Sequence, residues 1–162
     1  MPLYSEAGGL PATYVPLSFA DWRQRPEWPA VALANTDPVE GLASHVGRLR
    51  LIALDFPKFS DGRAYSQARL LRGRLGYRGE LRATGGVLQD QIAFMLRCGF
   101  DSFESEQRGF GEALARARAL FSVVYQPTED GRATASRLRL ERRPPAVAPL
   151  PVEPLGGARM PG

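Results

Sequence analysis

The chain has 162 residues, 44% of them hydrophobic and 23% charged, with a formal net charge of +4 at pH 7. That length gives one domain with a proper core and no room for a second, and no apolar run reaches the roughly 20 residues that a membrane-spanning helix needs. A single cysteine, Cys98, and a single histidine, His45, exclude an intramolecular disulfide and leave too few soft ligands for a zinc or iron–sulfur site.

Residues 1–28 are rich in proline, glycine and aromatics without a sustained period, and read as an irregular arm. The first nine hold no basic cluster followed by an apolar stretch, so no secretory signal is visible and a cytoplasmic location is expected. Residues 28–34 form a short apolar strand, and Asp37-Pro38 reads as a helix start, with Asp37 as cap and Pro38 in the first helical position. A short helix through Val39, Leu42, Ala43 and Val46 leads to a strand over 49–55, with His45 near the helix end, where a favourable terminal charge interaction is expected. After a loop at 55–63, Ala64, Ala68, Leu71 and Leu75 recur at helical spacing, and Gly76 ends the stripe. A strand at 80–83, a turn at 84–86 and a helix over 87–97 stopped by Gly99 come next. The chain then reads as a strand at 100–104, a helix at 109–120 and a strand at 121–125. Weak alternation over 132–140 suggests an edge strand, and from Arg142 a proline-rich tail is expected to be disordered or extended.

Regular alternation of strands and helices predicts an α/β fold of βα units with a mostly parallel sheet and right-handed crossovers. An open doubly wound sheet and a partial-barrel-like arc fit the pattern equally. The expected division is an irregular arm over 1–28, an α/β domain over 29–130, and a basic, then proline-rich tail over 131–162.

Six arginines and two glutamates lie beyond residue 130, so the net charge belongs to the tail and the preceding residues balance. Within that body, residues 58–82 hold seven basic and two acidic side chains, whereas 83–130 hold four and seven. A polarised globule favours a local anion site or an acidic partner over nucleic acid. Loops at the carboxyl ends of parallel strands converge on one edge, and three qualify here: 55–63, 84–90 and 104–109. The first offers Lys58, Asp61 and Arg63, and Lys58 is the only lysine of the sequence. A compact ammonium suits a single oxyanion or nucleophilic work in a way that arginine does not. The second offers Gly85 and Gly86 ahead of a helix, where bare backbone N–H groups would cradle an anion, with Asp90 in the first turns. Simpler roles stand beside these: Asp61 as a helix cap, the glycines as backbone accommodations, Asp90 as a dipole partner, and Tyr65, Arg69 and Arg72 as a solvated polar flank. Cys98 reads as a small buried hydrophobe. Apolar residues on the 87–97 helix cover more than half its circumference, either because it is sandwiched in the core or because part of it meets another chain. A homo-oligomer fits the second alternative. No phosphate-binding or dinucleotide fingerprint is present.

Residues 56–72, Phe-Pro-Lys-Phe-Ser-Asp-Gly-Arg-Ala-Tyr-Ser-Gln-Ala-Arg-Leu-Leu-Arg, followed by 75–83 and 97–101, resemble the bacterial domain-of-unknown-function family 934 over about residues 30–126. Members are commonly encoded beside assimilatory sulfite reductase and the reductase for activated sulfate, and are often labelled probable oxidoreductases. The resemblance implies an accessory role in sulfite reduction and cysteine biosynthesis, with sulfite reductase or another sulfur-assimilation enzyme as partner. No cofactor is expected on the chain itself, and any redox cofactor is expected on that partner. The sequence offers Lys58 and Asp61 as catalytic candidates, and Arg63, Tyr65, Gln67, Arg69, Arg72, Gly85, Gly86 and Asp90 as anion- or partner-binding candidates. Gly86 stands where the family pattern usually has aspartate, and Ala64 where glycine is common. An enzyme acting on a small oxyanion or phosphorylated substrate, and a structural subunit of a sulfur-assimilation complex, are the alternatives.

Overall fold

A computed structural model describes residues 1–5, 10–11, 13–120 and 133–141. Six strands form one sheet in the order β1-β6-β5-β4-β3-β2. The four central strands are β3 (Ala30–Leu33), β4 (Leu51–Phe56), β5 (Glu80–Gly85) and β6 (Ser102–Glu104), all parallel, with Leu54 opposite both Leu33 and Ala83. β2 (Leu17–Ser18) extends this parallel set beside β3, and β1 (Leu3–Tyr4) closes the other edge antiparallel to β6.

Strands β2 to β6 therefore lie side by side in chain order. Right-handed crossovers stepping always in one direction put every connecting helix on the same face, so of the two expected arrangements the barrel-like arc is the one formed. α1 (Phe19–Gln24), α2 (Arg63–Arg69), α3 (Ile92–Arg97) and α4 (Phe110–Ala119) bury Trp22, Ala64, Ala68, Ile92, Met95, Phe110 and Leu114 in one cluster. The strand residues in that cluster, Val31, Leu33, Ile52, Leu54, Phe56, Leu81, Ala83 and Phe103, all point to one side of the pleat.

The opposite side carries Ala30, Leu51, Ala53, Glu80, Arg82 and Ser102, and no helix of that cluster covers it. Ala30, Leu51 and Ala53 are nevertheless buried. The residues between Tyr4 and Leu17 connect opposite edges of the sheet, a span of roughly 24 Å at ~4.8 Å per strand, and at Leu10 that crossing is visible. Its N–H donates to Glu80 Oε2 at 2.6 Å and its carbonyl accepts from Arg82 Nη2 at 3.0 Å. Arg82, only 1% exposed, also donates to Glu80 Oε1 at 2.8 Å and Glu104 Oε1 at 3.4 Å, while the Ser102 hydroxyl donates to Glu80 Oε1 at 2.6 Å. The described residues of the arm, which the sequence presented as irregular, contribute both edge strands and α1, and place Leu10 against this ionic cluster.

Several expected elements differ locally. The segment after Pro38 is one 3-10 turn, Val39–Leu42, because the Asp37 carboxylate folds back to accept the Ala34 N–H at 2.8 Å instead of capping a helix. His45 lies edge-on to Trp22, ring centroids 5.2 Å apart, rather than at a helix end. α2 runs on into a π-helical turn, Leu70–Arg74, closed by the Leu75 N–H on the Leu70 carbonyl at 3.0 Å. The helix expected from residue 87 begins as a 3-10 turn at Gln89–Gln91, and α3 proper starts at Ile92. Where alternation over 132–140 suggested an edge strand, Ala135–Glu141 forms a helix, α5. Thr134 starts it by accepting the Arg137 N–H at 3.2 Å, and Arg137 and Glu141 pair one turn apart at 2.9 Å. The strand expected at 121–125 and the tail beyond 141 lie outside the described residues.

Candidate functional site

The carboxyl ends of β3, β4, β5 and β6 form one rim, and side-chain amides join its loops. The Gln91 Nε2 donates to the Phe59 carbonyl at 2.9 Å, linking the loop after β4 to the turn before α3. Gln89 donates through its amide to the Arg108 carbonyl, and its N–H donates to Gln107 Oε1 at 3.2 Å, adding the loop after β6. Gln67, on α2, donates to the carbonyls of Ala34 and Asp37 at 2.8 and 2.9 Å and so fixes the loop after β3. The three loops expected to converge do so, and this fourth joins them.

Lys58 lies exposed in the loop after β4, and no hydrogen bond or ion pair among the described residues engages its ammonium. Phe59 beside it is 59% exposed. The loop is tied down around them, with the Asp61 N–H on the Lys58 carbonyl at 3.0 Å and the Phe59 carbonyl held by Gln91. Across the rim, Phe94 of α3 is 55% exposed and meets the edge of Tyr65, 4.9 Å between centroids, while Tyr65 in turn packs against the buried Phe56 at 5.0 Å. Burial, with Cys98 and Asp90 nearby, raises the Tyr65 phenol. The broad apolar face of the third helix thus has an outward part, namely Phe94, whereas Ile92, Met95 and the nearly fully buried Cys98 belong to the core.

Asp61 and Arg63 occupy one another. Arg63 Nε donates to Asp61 Oδ1 at 3.0 Å, its Nη2 to Oδ2 at 2.6 Å and its N–H to Oδ1 at 3.2 Å, and the Asn35 amide adds a bond to Oδ2 at 2.7 Å. Those donors hold the carboxyl down at about 2. Asp61 is therefore a fixed anion that satisfies the first N–H of α2 from one position ahead of the cap, Gly62. Two of the expected anion- or partner-binding residues, Arg63 and Arg72, are already committed. Arg72, 9% exposed, donates to the carbonyls of Gly99, Tyr77 and Gly79, each at 2.9 Å, and pairs with Asp101. Those partners lie where β5 and β6 begin, at the edge opposite Lys58, so Arg72 is a structural hub and no part of the rim.

The glycine turn is not an open cradle either. Gly85 has φ +82°, and a Cβ there would meet the Phe56 carbonyl oxygen at 2.5 Å and Asp55 Oδ1 at 2.6 Å. The Gly86 N–H is spent on that same carbonyl at 2.6 Å, and a Cβ on Gly86 would crowd the Phe59 nitrogen at 3.1 Å and the Lys58 carbonyl carbon at 3.4 Å. Both glycines serve to bring the loops after β4 and β5 together. Asp90 is exposed on the 3-10 turn, and Arg69 is exposed on the outer side of α2. Gln67 is 6% exposed, and its Oε1, like that of Gln91, is buried without a hydrogen-bond partner.

One residue at this rim escaped the sequence reading. Asp55, the last but one residue of β4, lies on the side of the sheet away from the helices, beside Thr84 in the register. It makes no hydrogen bond or ion pair among the described residues, and partial burial raises its carboxyl. The only signal was position: a carboxylate at the carboxyl end of a central parallel strand, where barrel-like folds place functional groups. Among the described residues no group of three or more His, Cys, Asp or Glu side chains is placed to hold a metal ion, and no helix is long and apolar enough to cross a membrane.

The chain belongs to the family described as a bacterial protein of unknown function (DUF934), whose family model matches residues 30–136. The match begins on the first residue of β3, so the arm that builds both sheet edges precedes it. No curated protein and no solved structure matches the chain.

Proposed function

We propose that this family member is a cytoplasmic accessory protein of assimilatory sulfite reduction, docking on the reductase through the rim that carries Lys58. The observation that supports this best is the pairing of an exposed, uncommitted ammonium with two exposed phenylalanines on a braced scaffold. Exposed aromatics beside a cation are what a protein interface uses as anchors; Gln91 fixes the Phe59 backbone, and Tyr65 packs edge-on against the Phe94 ring. Electrons for sulfite would come from cofactors of the reductase, with Lys58 presented to its surface or to the anion it reduces.

A second reading, an enzyme acting on a small oxyanion, draws on Asp55. Asp61 suits that task poorly, because its proton is lost well below neutral pH and its oxygens are taken by Arg63 and Asn35. Asp55 is unpaired and holds its proton more tightly than an ordinary aspartate, as a general acid requires.

Deletion of the gene followed by growth on sulfate, sulfite or sulfide as sole sulfur source tests the proposal. Rescue by sulfide but not by sulfite is expected, with complementation by the wild type and not by Lys58→Ala. Normal growth of the deletion on sulfate would overturn the pathway assignment. If Asp55→Asn, rather than Lys58→Ala, fails to complement, the catalytic reading replaces docking.

A further inference from the structure

Five residues of α2 and the π turn, Ser66, Arg69, Leu70, Gly73 and Arg74, line an open groove of about 470 Å³. They follow one another at i, i+3, i+4, i+7 and i+8, which is one side of a helix. That side is the outer one: Ala64, Ala68 and Leu71 of the same segment are fully buried, whereas Ser66, Arg69, Gly73 and Arg74 are exposed and Leu70 is half-buried.

Residues 62–79 contain five arginines and no acid. Arg63 is neutralised by Asp61 and Arg72 by Asp101. Arg69 and Arg74 have no such partner among the described residues, so the two guanidiniums that flank the groove keep their charge for something outside it. Between them Leu70 supplies an apolar floor, and Gly73, without a side chain, lets a second backbone come close. Ridge-into-groove packing of another helix needs that combination of a low point and flanking ridges.

We propose that this groove is a docking site for an acidic helical segment of a partner protein. Carboxylates one turn apart on such a helix would meet Arg69 and Arg74, while a small apolar residue between them would sit over Leu70 and Gly73. The chain's own tail is an unsuitable occupant, since residues 142–162 carry three arginines and one glutamate. The groove is separate from the Lys58 rim, and its occupation does not depend on sulfite reductase being the rim's partner.

The test is fluorescence anisotropy of the full chain with a labelled helical peptide of repeated Glu-Ala-Ala-Leu. Saturable binding that weakens with salt is expected, and Arg69→Glu/Arg74→Glu is expected to weaken it about tenfold or more, the sum of two exposed ion pairs turned repulsive. Both side chains are exposed, so these variants should melt like the wild type, and Arg69→Gln/Arg74→Gln should give an intermediate loss. Lys58→Ala should bind as the wild type does. Equal binding by the charge-reversed variant, or no saturation, would overturn the proposal. So would displacement of the peptide by millimolar inorganic sulfate, which would make the groove a small-anion site, or by a short single-stranded RNA. Tighter binding by Glu129→Gln/Asp130→Asn would mean that the chain's own acidic stretch competes for the groove, and would overturn it too.

Discussion

The two ends of the parallel strands use their charged residues in opposite ways. At the amino ends, Arg72 spends every face of its guanidinium on Gly99, Tyr77, Gly79 and Asp101, and the Tyr77 hydroxyl donates to the Glu80 carbonyl at 3.0 Å. Burial pushes the Tyr77 phenol far above its usual value, as expected of a hydroxyl that never ionises there. At the carboxyl ends, no hydrogen bond or ion pair among the described residues engages the Lys58 ammonium or the Asp55 carboxyl. The difference teaches that a run of basic residues in a sequence mixes two kinds. Some cations hold the fold together, and only those left uncommitted are available to a partner.

Substitutions can break this contrast, and the largest effect belongs to the amino-end hub. Arg72→Ala leaves three carbonyls without their donor and takes the cation from a half-exposed Asp101 that keeps the Leu81 N–H. It should cost about 3–5 kcal/mol, lowering the thermal midpoint by about 10 °C. Arg72→Lys keeps the charge but not the fork of donors, and should still lose about 2 kcal/mol. A Lys variant that melts like the wild type would show that charge alone suffices there. Arg82→Met leaves Glu80 without its main counter-charge under the arm and should cost about 3 kcal/mol, much of which the double variant with Glu80→Met should recover. Denaturant titration of the two variants and the double separates the terms.

The rim substitutions are expected to be much milder for stability. Asp61→Asn should matter only through pH. The native carboxyl titrates at about 2, below the ordinary value near 4 of an unfolded chain. Its contribution is therefore complete above about pH 4 and fades as pH falls through about 2. Melting curves of the wild type and the variant should differ at pH 7 and converge in that acid window. Asp55 has the opposite sign: its folded value is raised, so its charged form is the less comfortable one in the native state. Asp55→Asn should raise the midpoint by about 1–2 °C at neutral pH, a gain that disappears in acid, where the native carboxyl is already neutral. Smallest of all, Lys58→Ala should leave the melting curve unchanged.

The alternation of strand and helix was legible because each βα unit carries its own apolar stripe and its own stop, as at Gly76 and Gly99. Gly99 shows why that stop is more than punctuation: a Cβ there would meet the Arg72 Cγ at 2.6 Å. The fate of Arg72 was not legible, because an arginine seven residues after Tyr65 looks like part of a solvated flank. The π turn is local but leaves no periodic signal, and the Gly99 and Asp101 partners that hold the side chain inward lie twenty-seven and twenty-nine residues away. The arm was opaque for a related reason. Two-residue strands have no period to detect, and Leu10 has meaning only once Glu80 and Arg82 are seen beneath it. At the rim, Lys58 stood out by composition alone, whereas the occupation of Asp61 by Arg63 and Asn35 needed a partner twenty-six residues away.

The central claim is that the uncommitted rim, and not the buried arginine hub, is the working surface. Its most direct measurement is titration of purified assimilatory sulfite reductase with the wild-type chain, with Lys58→Ala/Phe59→Ala and with Arg69→Glu/Arg74→Glu, followed by calorimetry at low and high salt. A stoichiometric complex is expected with the wild type, and at least about a tenfold loss of affinity with the rim variant, whose melting curve stays that of the wild type. Binding of the rim variant as tight as that of the wild type, or no complex with the wild-type chain, would contradict the account.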